Sequence, residues 1–88
     1  MKWTVVWRPD AEQSLADLWM SAPDRAAVTQ AAFDVDRLLE REPETAGESR
    51  EEGFRILLEP PLGVYFRVYP EQRMVAVTAT WLIRTRPR

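Results

Sequence analysis

From Phe54 to Ile83 the chain alternates along three extended runs, and prolines interrupt it in only two places. Pro60-Pro61 ends the first run and Pro70-Glu71-Gln72 ends the second. Each run is rich in β-branched and aromatic residues, the composition of strands. Strands are therefore expected over 54–58, 62–69 and 73–83. Turns this short join only antiparallel neighbours, because parallel strands need a long crossover. The C-terminal third of the chain is thus expected to be a three-stranded antiparallel meander.

The first half has a different period. Trp3-Thr4-Val5-Val6-Trp7 is a short β-forming run and predicts a strand over 3–8. Pro9 suits the first turn of a helix, and Asp10 with Gln13 resembles a capping box. Ala11, Leu15, Leu18 and Trp19 form the apolar stripe of a helix over 10–20. Ser21 is the expected N-cap of a second helix with Pro23 in its first turn. Val28, Ala31, Ala32, Val35, Leu38 and Leu39 share one helical face, which predicts a helix over 22–41 that Pro43 stops. With almost no loop between them, the two helices form an antiparallel hairpin. Phe33 lies off the stripe and either fills the groove between the helices or faces a partner. Residues 42–53 contain no large apolar side chain and are expected to be a polar loop.

The expected order is β-α-α-β-β-β, an α+β domain with both helices on one face of the sheet. Its length of 88 residues allows one domain, 1–88. Trp7, Leu15, Leu18, Val35, Leu39, Phe66, Val77 and Trp81 are expected in a single core. No apolar stretch approaches the ~20 residues of a membrane span, and no secretory signal is visible, so a soluble cytoplasmic protein is expected.

Composition narrows the chemistry. The chain has no Cys and no His, which removes thiolate metal sites, Cys nucleophiles and His-based triads. No metal or other cofactor is expected. Residues 1–52 carry six basic and twelve acidic side chains, a balance of −6, whereas residues 53–88 carry six Arg against Glu59 and Glu71, a balance of +4. The small overall charge argues against non-specific nucleic-acid binding, while the basic half leaves room for a local phosphate site.

Period two then divides the strands. Phe54, Ile56 and Leu58, with Leu62, Val64, Phe66 and Val68 and with Val75, Val77, Ala79 and Trp81, are expected under the helices. The open face would display Arg55, Tyr65, Arg67, Tyr69, Thr78 and Thr80, extended by Arg84. Guanidinium groups beside Tyr rings can hold phosphates and stack on bases. The default for such a face is nevertheless solvation or cover by a partner.

These features together resemble the RelE/ParE superfamily of toxins from type II toxin–antitoxin systems, the plasmid-stabilisation type. The residues concerned are the opening strand with Pro9-x-Ala11-x-x-x-Leu15, then Ala31/Ala32, Val35-Asp36, Leu39-x-x-x-Pro43 and Gly47. They continue with Gly53-Phe54-Arg55-Ile56-Leu57, Pro61-Leu62-x-Val64-x-Phe66 and Val75-x-Val77. The resemblance implies a bacterial toxin with a curved antiparallel sheet under a helical hairpin, neutralised by a cognate antitoxin. RelE-like members are ribosome-dependent endoribonucleases that use Lys, Arg and Tyr on the sheet; ParE-like members poison DNA gyrase without catalytic residues.

By position, Arg55 matches a basic residue of the second strand and Arg84 the basic residue after the last. Leu57 stands where a second basic residue is expected, and Arg67 is offset by three or four residues from the third-strand Arg. Within 1–88 there is no counterpart of the segment that carries a catalytic Tyr. A cooperating catalytic set that lacks members loses most of its activity. The preferred reading is a ParE-like, non-catalytic toxin. The runner-up is a RelE-like endoribonuclease using Arg55, Arg67, Arg84, Tyr65 and Tyr69 on ribosome-bound mRNA. A third is a toxin-fold binding protein without toxicity. The expected antitoxin-binding residues are Trp19, Phe33, Arg55, Arg67 and Arg84, with an acidic amphipathic segment as partner.

Overall fold

The computed structural model describes residues 2–83. The elements are β1 (Thr4–Trp7), α1 (Pro9–Ser21), α2 (Arg25–Arg41), β2 (Glu48–Glu51), β3 (Phe54–Glu59), β4 (Leu62–Tyr69) and β5 (Met74–Leu82), with a 3-10 turn at Pro70–Gln72 before β5. The α+β class and the hairpin-then-meander order agree with the sequence. The sheet has five strands in the order β1-β5-β4-β3-β2. It is mixed: β1 runs parallel to β5, and every other neighbouring pair is antiparallel. The helical hairpin is the crossover that lets β1 return to the sheet in parallel.

The expected polar loop over 42–53 contains a strand. Glu48 pairs with Ile56 and Ser49 with Arg55. All four β2 residues are exposed, so β2 has no apolar alternation to reveal it. Its approach is set by Gly47, at φ 65°, where a side-chain carbon would collide with the Ile56 carbonyl.

The helix caps also differ from expectation. Asp24, rather than Ser21, caps α2, its carboxylate accepting from the Ala27 amide at 3.0 Å. Arg8 occupies the α1 cap without a side-chain bond, and Gln13 bonds Asp17 instead of closing a capping box with Asp10. On α2, Val28, Ala31, Val35 and Leu39 are buried at helical spacing, as the stripe predicts.

The apolar interior divides in two. Trp3, Ala11, Val35, Leu39, Leu57, Val64, Phe66, Val68, Val75 and Val77 belong to the main core, with Trp7 packed against it. Leu15 and Leu18 pack instead in a smaller cluster with Val28, Ala31 and Leu62. The Trp7 indole N–H donates to the Asp36 carboxylate at 2.7 Å and ties β1 to α2. Trp81 belongs to neither cluster and is 36 % exposed.

A bulge explains Trp81. Tyr65 faces Ala79 and Phe66 faces Val77, which leaves Thr78 without a partner in the ladder. One extra residue reverses the facing of everything after it. Val75 and Val77 point into the core, but beyond Thr78 it is Thr80 that is buried and Trp81 that turns outward. The Thr80 hydroxyl satisfies itself on the Gly63 carbonyl at 2.9 Å, and Thr78 donates to the Tyr65 carbonyl at 3.1 Å. Among the described residues, no helix is long and apolar enough to cross a membrane.

Candidate functional site

Cross-strand partners share a face of the sheet. Phe66 and Val64 are core residues, so their partners Arg55 and Leu57 lie on the helix side. The open face carries the other set: Phe54 opposite Arg67, Ile56 opposite Tyr65, and Leu58 opposite Gly63. This reverses the expected facing of β3. Leu57 is buried whereas Leu58 is 58 % exposed. Apolar residues occupy both parities of this strand, so alternation alone does not decide it.

On the open face the side chains stack in a connected series. The Phe54 and Tyr65 rings lie parallel, 5.1 Å apart and 10° from coplanar. The Arg67 guanidinium sits 5.1 Å from the Phe54 ring centroid and 5.1 Å from that of Tyr69. Two rings thus hold a cation whose N–H edge stays in solvent. The Tyr65 hydroxyl donates to a Glu51 carboxylate oxygen at 2.9 Å. Desolvation by the surrounding sheet, followed by that bond and the charge of Glu51, raises the Tyr65 pKa above its ordinary value, while Arg50 works weakly the other way. A phenol so tied is harder to ionise, the opposite of what a general base requires.

Beside this series, a cleft of about 700 Å³ is lined by Gly53, Phe54, Arg55, Arg67, Tyr69 and neighbouring turn residues. Glu44, Glu52 and Glu71 also border it, so its lining is not uniformly basic. Among the described residues, no three acidic side chains converge to hold a metal ion.

The sequence-derived site residues separate into groups. Tyr65, Arg67 and Tyr69 share the open face, as expected. Arg55 is on the other side and braces the loop before β2, donating to the carbonyls of Ala46 at 2.7 Å and Gly47 at 3.1 Å. Thr80 is buried on the helix side, and Arg84 lies outside the described residues. Arg55 and Arg67 nevertheless border the same cleft, and the Arg84 end of the expected strip lies outside the described residues. Trp19 and Phe33 line a groove between the two helices.

Three open-face residues escaped the sequence reading: Phe54, Trp81 and Glu51. Gly63 was the available signal for Trp81. A glycine inside a strand marks a close approach, and here a side-chain carbon would lie 2.5 Å from the Trp81 indole. Glu51 had no signal, because its strand is polar throughout.

No protein-family model and no curated protein matches this sequence. Solved structures do match in shape. The toxin–antitoxin complex RelBE2 of Mycobacterium tuberculosis contains a chain with TM-score 0.74 and 18 % identity, covering 93 % of this chain and 92 % of that one. The chromosomal ParDE system of P. aeruginosa gives TM-score 0.69 at 18 % identity, over 93 % and 97 % of the two chains. The isolated RelE toxin of E. coli gives TM-score 0.64 at 14 % identity, over 96 % and 87 %. Over nearly its whole length, the chain has the fold of the RelE/ParE toxins.

Proposed function

We propose that the protein is the toxin of a type II toxin–antitoxin module, acts in the ParE manner by binding its target, and is neutralised by a cognate antitoxin. The shared fold supports the toxin reading, and two of the similar structures are toxin–antitoxin systems. The observation that carries the non-catalytic reading is the placement of Arg55. Its side chain borders the same cleft as Arg67, but its guanidinium is engaged by two loop carbonyls. Phosphate cleavage needs cations and a base gathered around one phosphorus. Here the Arg55 guanidinium is taken up by loop carbonyls, and desolvation, with the Glu51 bond and charge, makes Tyr65 harder to ionise.

A second reading has its own support. Tyr65, Arg67 and Tyr69 do share one exposed surface, which suits an RNA strand stacked on rings. Controlled expression in a bacterial host separates the two. The proposal expects growth arrest with filamentation and a DNA-damage response, as DNA gyrase poisoning would give, and no new mRNA ends by primer extension. Discrete cuts in translated mRNA that vanish with Arg67→Ala would replace it by the ribonuclease. Co-expression of a small protein encoded beside this one should restore growth and co-purify with it.

A further inference from the structure

The sheet ends in two unlike edges. β2 closes one side with Glu48, Ser49, Arg50 and Glu51, and β1 closes the other with Thr4, Val5, Val6 and Trp7. Charge on an edge strand discourages pairing with another chain. β1 carries none, and Val6 in its middle is 41 % exposed.

The hydrogen bonds of β1 define what its outer side offers. In a strand the N–H and C=O of one residue point the same way, and successive residues alternate. The amides of Thr4 and Arg8 donate at 2.9 Å to the carbonyls of Arg73 and Val77, just before and within β5. Thr4, Val6 and Arg8 therefore turn toward β5, while Trp3, Val5 and Trp7 turn outward. The Glu40 carbonyl of α2 takes the Trp3 amide, also at 2.9 Å. The outward groups of Val5 and Trp7 have no backbone partner among the described residues.

These groups complement themselves. A two-fold axis at Val6 sets two β1 strands antiparallel, with Val5 of each copy opposite Trp7 of the other, and the pair exchanges both of its bonds. An axis at Val5 would set Trp7 against the occupied Trp3 amide. An axis at Trp7 would set Val5 against Pro9, which has no N–H. The register centred on Val6 satisfies both residues. It also lays the exposed Val6 side chains against each other. At its ends it brings Lys2, whose side chain is 81 % exposed, level with Asp10 in the acidic first turn of the other α1. A net charge of −2 opposes self-association only weakly.

We propose that β1 is a docking edge for a second copy of this chain, paired antiparallel about Val6 so that the sheets of two molecules become one. The pairing consumes both β1 edges and leaves only the charged β2 edges outside, so assembly closes at a two-fold dimer. The proposal requires neither toxicity nor an antitoxin, and its test and the expression experiment fail separately.

The test uses the whole chain. A short edge makes a small interface, so sedimentation equilibrium is run up to ~0.5 mM. The weight-average mass should rise with concentration toward twice that of the chain. Val6→Lys, a change at an exposed site, should hold the mass at one copy with the circular dichroism spectrum unchanged, and Val6→Thr should keep the dimer. The chain has no Cys, so single introduced cysteines read the register. Opposed residues of a non-hydrogen-bonded pair hold their Cβ atoms ~4.5–5.5 Å apart, close to disulfide reach. Under diamide, Val6→Cys should crosslink to itself at least tenfold faster than Thr4→Cys, whose copies would lie ~14 Å apart along the strands. Thr4→Cys mixed with Arg8→Cys should crosslink one to the other. A chain that stays monomeric at ~0.5 mM overturns the proposal. So does association that ignores Val6→Lys, or Thr4→Cys that crosslinks to itself as fast as Val6→Cys.

Discussion

Tyr65 shows how much one neighbour can decide. Its ring stacks on Phe54 and its hydroxyl bonds Glu51, so its ionisation is opposed by both its surroundings and a carboxylate. In a Tyr69→Phe background, where Tyr65 is the remaining tyrosine, absorbance at 295 nm should titrate above the ordinary tyrosine value of about 10. Glu51→Gln should lower that midpoint. Because the folded pKa is the higher one, the stabilisation from this bond is complete below the unfolded value and fades as pH rises through the folded one. Gly63 makes a second residue-level case. Gly63→Ala places a methyl against the Trp81 ring and should cost ~1–3 kcal/mol in urea denaturation, as overpacking does. In a Trp81→Ala background the same change should cost far less, since the space is then open. The sequence made Tyr65, Arg67 and Tyr69 legible as a group because they alternate on one strand. It hid the facing of Arg55, which is set by its register opposite Phe66 on a strand whose apolar residues fill both parities.

Elements were legible where one face is buried and the other is not. The α2 stripe is such a case, and Leu39 at its end is fully buried in the main core. Leu39→Ala should lower unfolding stability by ~2–5 kcal/mol, the range for a buried leucine whose site collapses only partly. An Asp24→Ala loss of ~1 kcal/mol would match its role as the α2 cap. β3 was legible as a strand but not in its facing, because Phe54, Ile56, Leu57 and Leu58 fill both parities. β5 was legible until Thr78, where one added residue exchanges the roles of Thr80 and Trp81. β2 could not be read at all, since an exposed edge strand of Glu, Ser and Arg looks like a loop. Charged edges of this kind also resist pairing with other chains.

At the scale of the whole molecule, β1 is the element that ties the layers together. It lies in parallel on β5, follows directly on the buried Trp3, packs Trp7 against the main core, and through Trp7 reaches Asp36 of α2. Removing residues 1–7 should therefore leave no folded remainder, visible as loss of near-UV dichroism and of a cooperative thermal transition. The strand order has a further consequence. β5, the last of the described strands, sits inside the sheet between β1 and β4, and both wait for it. A ribosome adds residues at roughly 5–20 per second, so the first strand emerges several seconds before the one that receives it. Through that interval the nascent chain can fold its helices but cannot close its sheet. The surface that carries Phe54, Tyr65, Arg67 and Tyr69 then comes into being only once synthesis of the domain is nearly finished. The delay gives any protein that recognises the unfinished chain a head start over whatever the finished one would bind.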